Sequence, residues 1–161
     1  SSAKLIPSDA QADDSFGQEM VTDGDTIVAG WAMGNGGAAY VFELQGGSWT
    51  EVAKLTAADG AAGDYFGQAV GISGDTVVVS ALGEDSAATG VNGDKTDNSM
   101  AEAGAAYVFE RDLGGTDSWG QRQKLTSSDR QDDDLFGASV ALDGDILGAS
   151  VGKSLLSAGT T

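Results

Sequence analysis

The sequence predicts an all-β chain: a β-propeller-like array of four-stranded antiparallel blades, incomplete at about two and a half blades. Three observations carry that reading. One phrase occurs three times, as KLIPSDAQADDSFGQEMVTDGDTIVAG from Lys4, KLTAADGAAGDYFGQAVGISGDTVVVS from Lys54 and KLTSSDRQDDDLFGASVALDGDILGAS from Lys124. A second phrase built on AAYVFE follows the first two copies, at Ala38 and at Ala105. The apolar segments are short, continuous and rich in β-branched residues, with no sustained helical period between caps.

Each unit reads as four short strands. The first runs from about Gln18 to Thr22 and turns at Asp23-Gly24 into the second, about Asp25 to Trp31. Glycine there supplies the positive φ that a two-residue hairpin favours, and Ser73-Gly74 and Asp143-Gly144 repeat the signal. The third strand is AAYVFE, and the fourth opens at Trp49 or Trp119. TIVAGWA, TVVVSAL and AAYVFE lack polar alternation, as strands do when both faces of their sheet are covered. Blades stacked radially have that property, whereas a two-sheet sandwich leaves outer faces wet.

The units span about 4–53, 54–123 and a partial 124–161 within one domain, with an inserted loop at about 83–103 in the second. Lys4–Ile6 matches the last strand of a unit, so the expected total is eleven strands. That falls short of the roughly four blades of the smallest closed ring, and the reading expects the chain to be a piece of a larger propeller, to self-associate to complete one, or to be sheltered in a larger assembly.

Composition bounds the chemistry. Net charge is −17, which opposes binding to nucleic acid or to anionic membrane surfaces. No apolar run reaches the roughly 18 residues expected of a membrane span. With neither Cys nor His, disulfides, thiolate or imidazole metal sites and histidine-based triads are excluded.

Phe16-Gly17, Phe66-Gly67 and Phe136-Gly137, each followed by a strand ending in small residues, resemble the FG-GAP repeats of integrin α-subunit propellers. KLTAADGAAGDYFG, SGDTVVVS and GAAYVFE are especially similar to the bacterial and algal version. The resemblance implies a propeller and an interaction role. Calcium-binding integrin repeats carry Asp-x-Asp-x-Asp-Gly between FG and GAP, but here that stretch is only the tight turn at Gly24-Asp25, Gly74-Asp75 or Gly144-Asp145. The family's calcium site therefore transfers to no residue. The GAP triplet itself is read as Gly30-Trp31-Ala32, Ser80-Ala81-Leu82 and Ala149-Ser150-Val151.

Two sets of residues are candidates for function. Asp9, Asp59 and Asp129, with Asp14, Asp64 and Asp134, repeat before each FG and offer the hard oxygen ligands calcium prefers. The competing reading makes them turn caps that bond nearby amides. The inserted loop carries Glu84, Asp85, Asn92, Asp94, Asp97 and Asn98, and is read as an ordered excursion, a partner-contacting loop or a calcium loop. Trp31 replaces a small residue at a strand end and joins Asp85, Asn92, Asp94 and Asp97 as a candidate partner contact. Phe16, Phe66, Phe136, Tyr40, Tyr107, Phe42 and Phe109 recur in register and are expected in the core between blades.

The function expected is a non-catalytic interaction or scaffold module, or an accessory subunit of a larger complex, located outside the cytosol and requiring no cofactor. Its partner is expected to be a protein, a second copy included, or a glycan. The alternatives are part of an extracellular hydrolase or lyase propeller, and a calcium-dependent adhesion segment. Carboxylate pairs are too abundant here to mark an active site by themselves.

Overall fold

The computed structural model describes residues 3–11, 16–33, 36–94 and 96–152. Among them are eleven strands and no helix: β1 (Glu19–Asp23), β2 (Thr26–Trp31), β3 (Ala38–Gln45), β4 (Ser48–Leu55), β5 (Phe66–Ser73), β6 (Thr76–Ala81), β7 (Gly90–Val91), β8 (Ala105–Arg111), β9 (Trp119–Thr126), β10 (Phe136–Asp143) and β11 (Ile146–Val151). The first blade has the order β1-β2-β3-β4, the second β5-β6-β8-β9-β7, and β10-β11 begin a third. Every ladder within a blade is antiparallel.

Two expectations change. The second sheet has five strands, because the inserted loop returns β7 to the outer edge of β9, pairing Gly90 with Thr126 and Val91 with Leu125. Lys4–Ile6 forms no strand. Its equivalents, Lys54-Leu55 at the end of β4 and Lys124-Leu125 one residue before the end of β9, pair with the third strand of their own blade, β3 or β8. Lys4–Ile6 has no such neighbour among the described residues.

The hairpins follow the local chemistry. Gly24, Gly74 and Gly144 open the two-residue turns with φ near +55°, while the aspartate that follows each is not in the positive-φ region. That combination is the type II′ pattern suited to twisted strands. Conserving this turn between units conserves register: Thr22 faces Ile27, Ile72 faces Val77 and Leu142 faces Leu147. A bulge also repeats, at Val41/Phe42 between β3 and β4 and at Val108/Phe109 between β8 and β9.

Each blade has a leading face toward the start of the chain and a trailing face toward its end. On the second blade's leading face, Phe66 packs edge-on against Tyr107 and Phe109, with ring centroids 5.5 and 5.9 Å apart. Val28, Val41 and Leu55 of the first blade's trailing face close over this group, together with Val70, Val77 and Val79. The first blade repeats the leading-face arrangement, with Phe16 set edge-on to Tyr40 and Phe42 at 5.5 and 6.1 Å. Burying branched and aromatic side chains between sheets is the main favourable term in such a stack.

The junction between blades is built on backbone contact. The Phe66 N–H donates to Gly36 O at 2.9 Å, and the Phe136 N–H donates to Ala103 O at 2.9 Å. A Cβ on Gly67 would lie 2.3 Å from Ala38 O, and one on Gly30 would lie 2.0 Å from Gly67 O. The FG glycine is thus required by close approach of two blades. At the hairpin tips a second link recurs: the Gly74 N–H donates to Asp23 Oδ2 at 2.7 Å, and the Gly144 N–H donates to Ser73 Oγ at 2.9 Å. The Ser139 N–H donates to Ser150 Oγ just as the Ala69 N–H donates to Ser80 Oγ, so Ser150 rather than Ala149 is the counterpart of Ser80.

Candidate functional site

The loop before each FG holds the candidate calcium ligands in two different roles. Asp64 and Asp134 are buried, and each accepts from a backbone N–H three residues earlier: Ala61 to Asp64 Oδ2 and Gln131 to Asp134 Oδ2, both at 2.7 Å. Each therefore fastens its own tight turn. Burial, with the nearby Glu84 and Asp85 charges, raises the Asp64 pKa above the ordinary carboxylate value. Asp14 lies outside the described residues.

Asp9 and Asp59 instead meet a lysine of the unit that follows them. Asp9 Oδ1 accepts from the Tyr40 hydroxyl at 2.8 Å while Lys54 Nζ reaches Oδ2 at 2.5 Å, and both contacts hold its pKa down, with Lys54 contributing most. Asp59 Oδ2 accepts from Lys124 Nζ at 2.8 Å. Each lysine also sits 5.5 Å from the centroid of its tyrosine ring, Tyr40 or Tyr107. Asp129 is exposed and accepts from Ser127 Oγ. Among the described residues no three acidic side chains gather as a metal ion would require.

The second blade elaborates this arrangement. Lys124 Nζ, only 1% exposed, is shared between Asp59 and Glu84, the latter supplied by the inserted loop. Arg130, from the third unit, lies 3.9 Å from Glu84 and donates to the carbonyls of Ala88 and Gly104. Sequence reasoning singled out neither Lys54, Lys124 nor Arg130. The recurrence of lysine at the start of each repeated phrase was the available signal for the first two, whereas Arg130 has Ala10 and Gly60 at its equivalent positions.

The candidate partner contacts in the loop turn inward or fasten local turns. Asp85 Oδ1 accepts from the Glu102 N–H at 2.8 Å, and Asn92 Oδ1 accepts from the Lys124 N–H at 3.0 Å. Asp94 Oδ1 takes both the N–H and the hydroxyl of Thr96, and Asp97 Oδ1 takes the Ser99 N–H at 3.2 Å. The loop is thereby an ordered excursion covering the edge of β9. Trp31 packs against the group of Ala29, Tyr40 and Phe42, with its indole N–H buried and unpartnered.

On the first blade's leading face Leu5 and Phe16 pack against the buried Tyr40 and Phe42, and among the described residues a groove is left open beside them. A groove of about 400 Å³ is lined there by Leu5, Phe16, Met20, Thr22, Ile27 and Trp49. Met20 is 54% exposed. The equivalent face of the second blade is covered by the first.

Stacked antiparallel sheets of four and five strands joined through a glycine-mediated junction define a propeller-type repeat protein. The FG-GAP repeat family matches residues 1–42, 49–109 and 119–155, and the chain belongs to that family. The breaks between matched stretches fall at the hairpins joining β3 to β4 and β8 to β9. Comparison with curated proteins gives no match.

Proposed function

We propose that this chain is a non-catalytic interaction module, working outside the cytosol as a binding partner or accessory subunit and requiring no cofactor. The observation that carries the reading is the open apolar groove on the leading face of the first blade, on a scaffold whose repeated carboxylates are occupied by lysines and turn amides. An apolar groove open to solvent, with an exposed methionine at its lip, is a place for a partner's side chain to bind. Asp64 and Glu84 are neighbouring carboxylates, but both are buried, and they bond inward to a turn amide and to Lys124. That leaves neither placed to flank a substrate bond.

The −17 charge favours a basic protein partner, with faster and tighter association at low salt. Titration against matched basic and acidic proteins at low and high salt tests this, with glycan arrays run alongside. Binding confined to basic partners and weakened by salt is expected. Equal indifference to both proteins, together with blank arrays, removes the reading.

A further inference from the structure

We infer that the leading face of the first blade docks the trailing face of the β10-β11 sheet of a second copy, so that chains associate head to tail. The inference rests on the interaction-module reading and names one partner and one register for it. The two junctions inside the chain supply the template. In both, a leading-face phenylalanine N–H meets the carbonyl of a preceding unit, and a hairpin glycine N–H is taken by the side chain at the end of the preceding hairpin's first strand. The acceptors step from Asp23 to Ser73, and the donors from Gly74 to Gly144. Continuing the series outward pairs the Asp143 carboxylate of one copy with the Gly24 N–H of the next.

The leading-face aromatic group belongs to the same series. Phe16, Tyr40 and Phe42 on the first blade repeat Phe66, Tyr107 and Phe109, the group that the first blade itself covers with Val28 and Val41. Tyr40 and Phe42 are already buried, so a docked copy would cover the groove of Phe16, Met20, Ile27 and Trp49 beside them, and it would present Gly148 where the first blade has Val28. At the other end, Leu142 and Leu147 are paired opposite one another, and a Cβ built on Gly71 of the second blade would meet Leu142. Strand alternation therefore puts their neighbour Ile146 on the trailing face, where it is 75% exposed. Met20 and Ile146 thus lie on opposite ends of the molecule, each free of the fold's own core. A contact between two different surfaces is heterologous, so it propagates along a chain of copies or closes as a ring.

Because each copy carries −17, like charges oppose the association, and added salt strengthens it. Salt weakens the binding of a basic partner, so the two interactions separate in one experiment. Sedimentation equilibrium of the 16.1 kDa chain across concentration and salt is compared with Met20→Glu and Ile146→Glu. The mass of the native chain should rise with concentration and with salt. Each variant alone should associate at least about tenfold more weakly, the penalty for placing a charge where an apolar side chain is buried. Mixing the two variants should restore association but stop it at a dimer of one of each, since each retains one intact surface. Circular dichroism of both variants checks that the fold is kept. A native chain that stays at 16.1 kDa throughout overturns the inference, as does a mixture no larger than its components or association that either variant leaves unchanged. Retention of basic-partner binding by Ile146→Glu, whose substitution lies away from the groove, leaves the function reading standing whichever way the masses fall.

Discussion

Replacing Gly67 with alanine tests whether the FG glycine exists for the junction between blades. Its φ of +98° lies where L residues are strained, which costs about 1–3 kcal/mol. The added Cβ would also lie 2.3 Å from Ala38 O and 2.8 Å from Trp31 N, both backbone atoms that cannot swing aside. Overpacking of that kind adds about 1–3 kcal/mol, so the total is roughly 2–6 kcal/mol. Gly24→Ala is the control: φ is +56°, and nothing lies within 4 Å of the new carbon, which leaves only a left-handed penalty of about 1–2 kcal/mol. Urea unfolding at fixed pH measures both. At about 2–4 °C per kcal/mol, thermal midpoints should fall by roughly 4–24 °C for Gly67→Ala and about 2–8 °C for the control. Equal losses for the two variants would show that turn strain alone explains the conserved-looking FG phrase, and the junction argument would be wrong.

Three further outcomes are expected. Lys124→Met should cost about 3–5 kcal/mol, because it strands the buried Glu84 carboxylate, whereas Lys54→Met, at a half-exposed pair, should cost under about 1 kcal/mol; denaturant titration compares them. Asp64→Asn should gain stability at neutral pH but not at pH 3. The folded carboxyl has its pKa raised above 3.8, so the native state binds the extra proton and wild-type stability falls as pH rises from about 3.8 through the folded value; melting curves across pH test the sign. Millimolar calcium should leave the melting temperature unchanged, since Lys54 and Lys124 already neutralise Asp9 and Asp59. Site occupancy at 100 times Kd would instead contribute about 2.7 kcal/mol and raise the midpoint visibly.

The strand plan and the blade order were legible because each rests on local rules applied more than once. A glycine at three hairpins and an apolar run in each middle strand say the same thing independently. Pairing partners were less visible. Lys4–Ile6 has the letters of a fourth strand, but a strand exists only through its neighbour, and sequence similarity to Lys54-Leu55 carries no β3 with it. The aspartates illustrate the same limit: side-chain chemistry fits calcium, while the lysine that occupies Asp59 lies 65 residues away. The inserted loop was seen as acidic and long, yet its role as an edge cover depends on two residues, Gly90-Val91, whose composition gives no strand signal.

Arg130 ties the finishing of one unit to the arrival of the next. It reaches back to Ala88 and Gly104, and the amides of Asp133, Leu135 and Phe136 close onto the carbonyls of Ala101, Glu102 and Ala103. On a ribosome, residues 83–103 would leave the exit tunnel before Arg130 and the amides of Asp133 to Phe136 do. The excursion would then wait, its carbonyls wet and Glu84 without its arginine, until some thirty later residues had cleared the exit tunnel, a lag of a few seconds at ordinary synthesis rates. Ordering would proceed backwards along the chain, the newcomer setting the loop of its predecessor, so that any delay between the emergence of residue 103 and that of residue 136 would prolong exposure of the excursion.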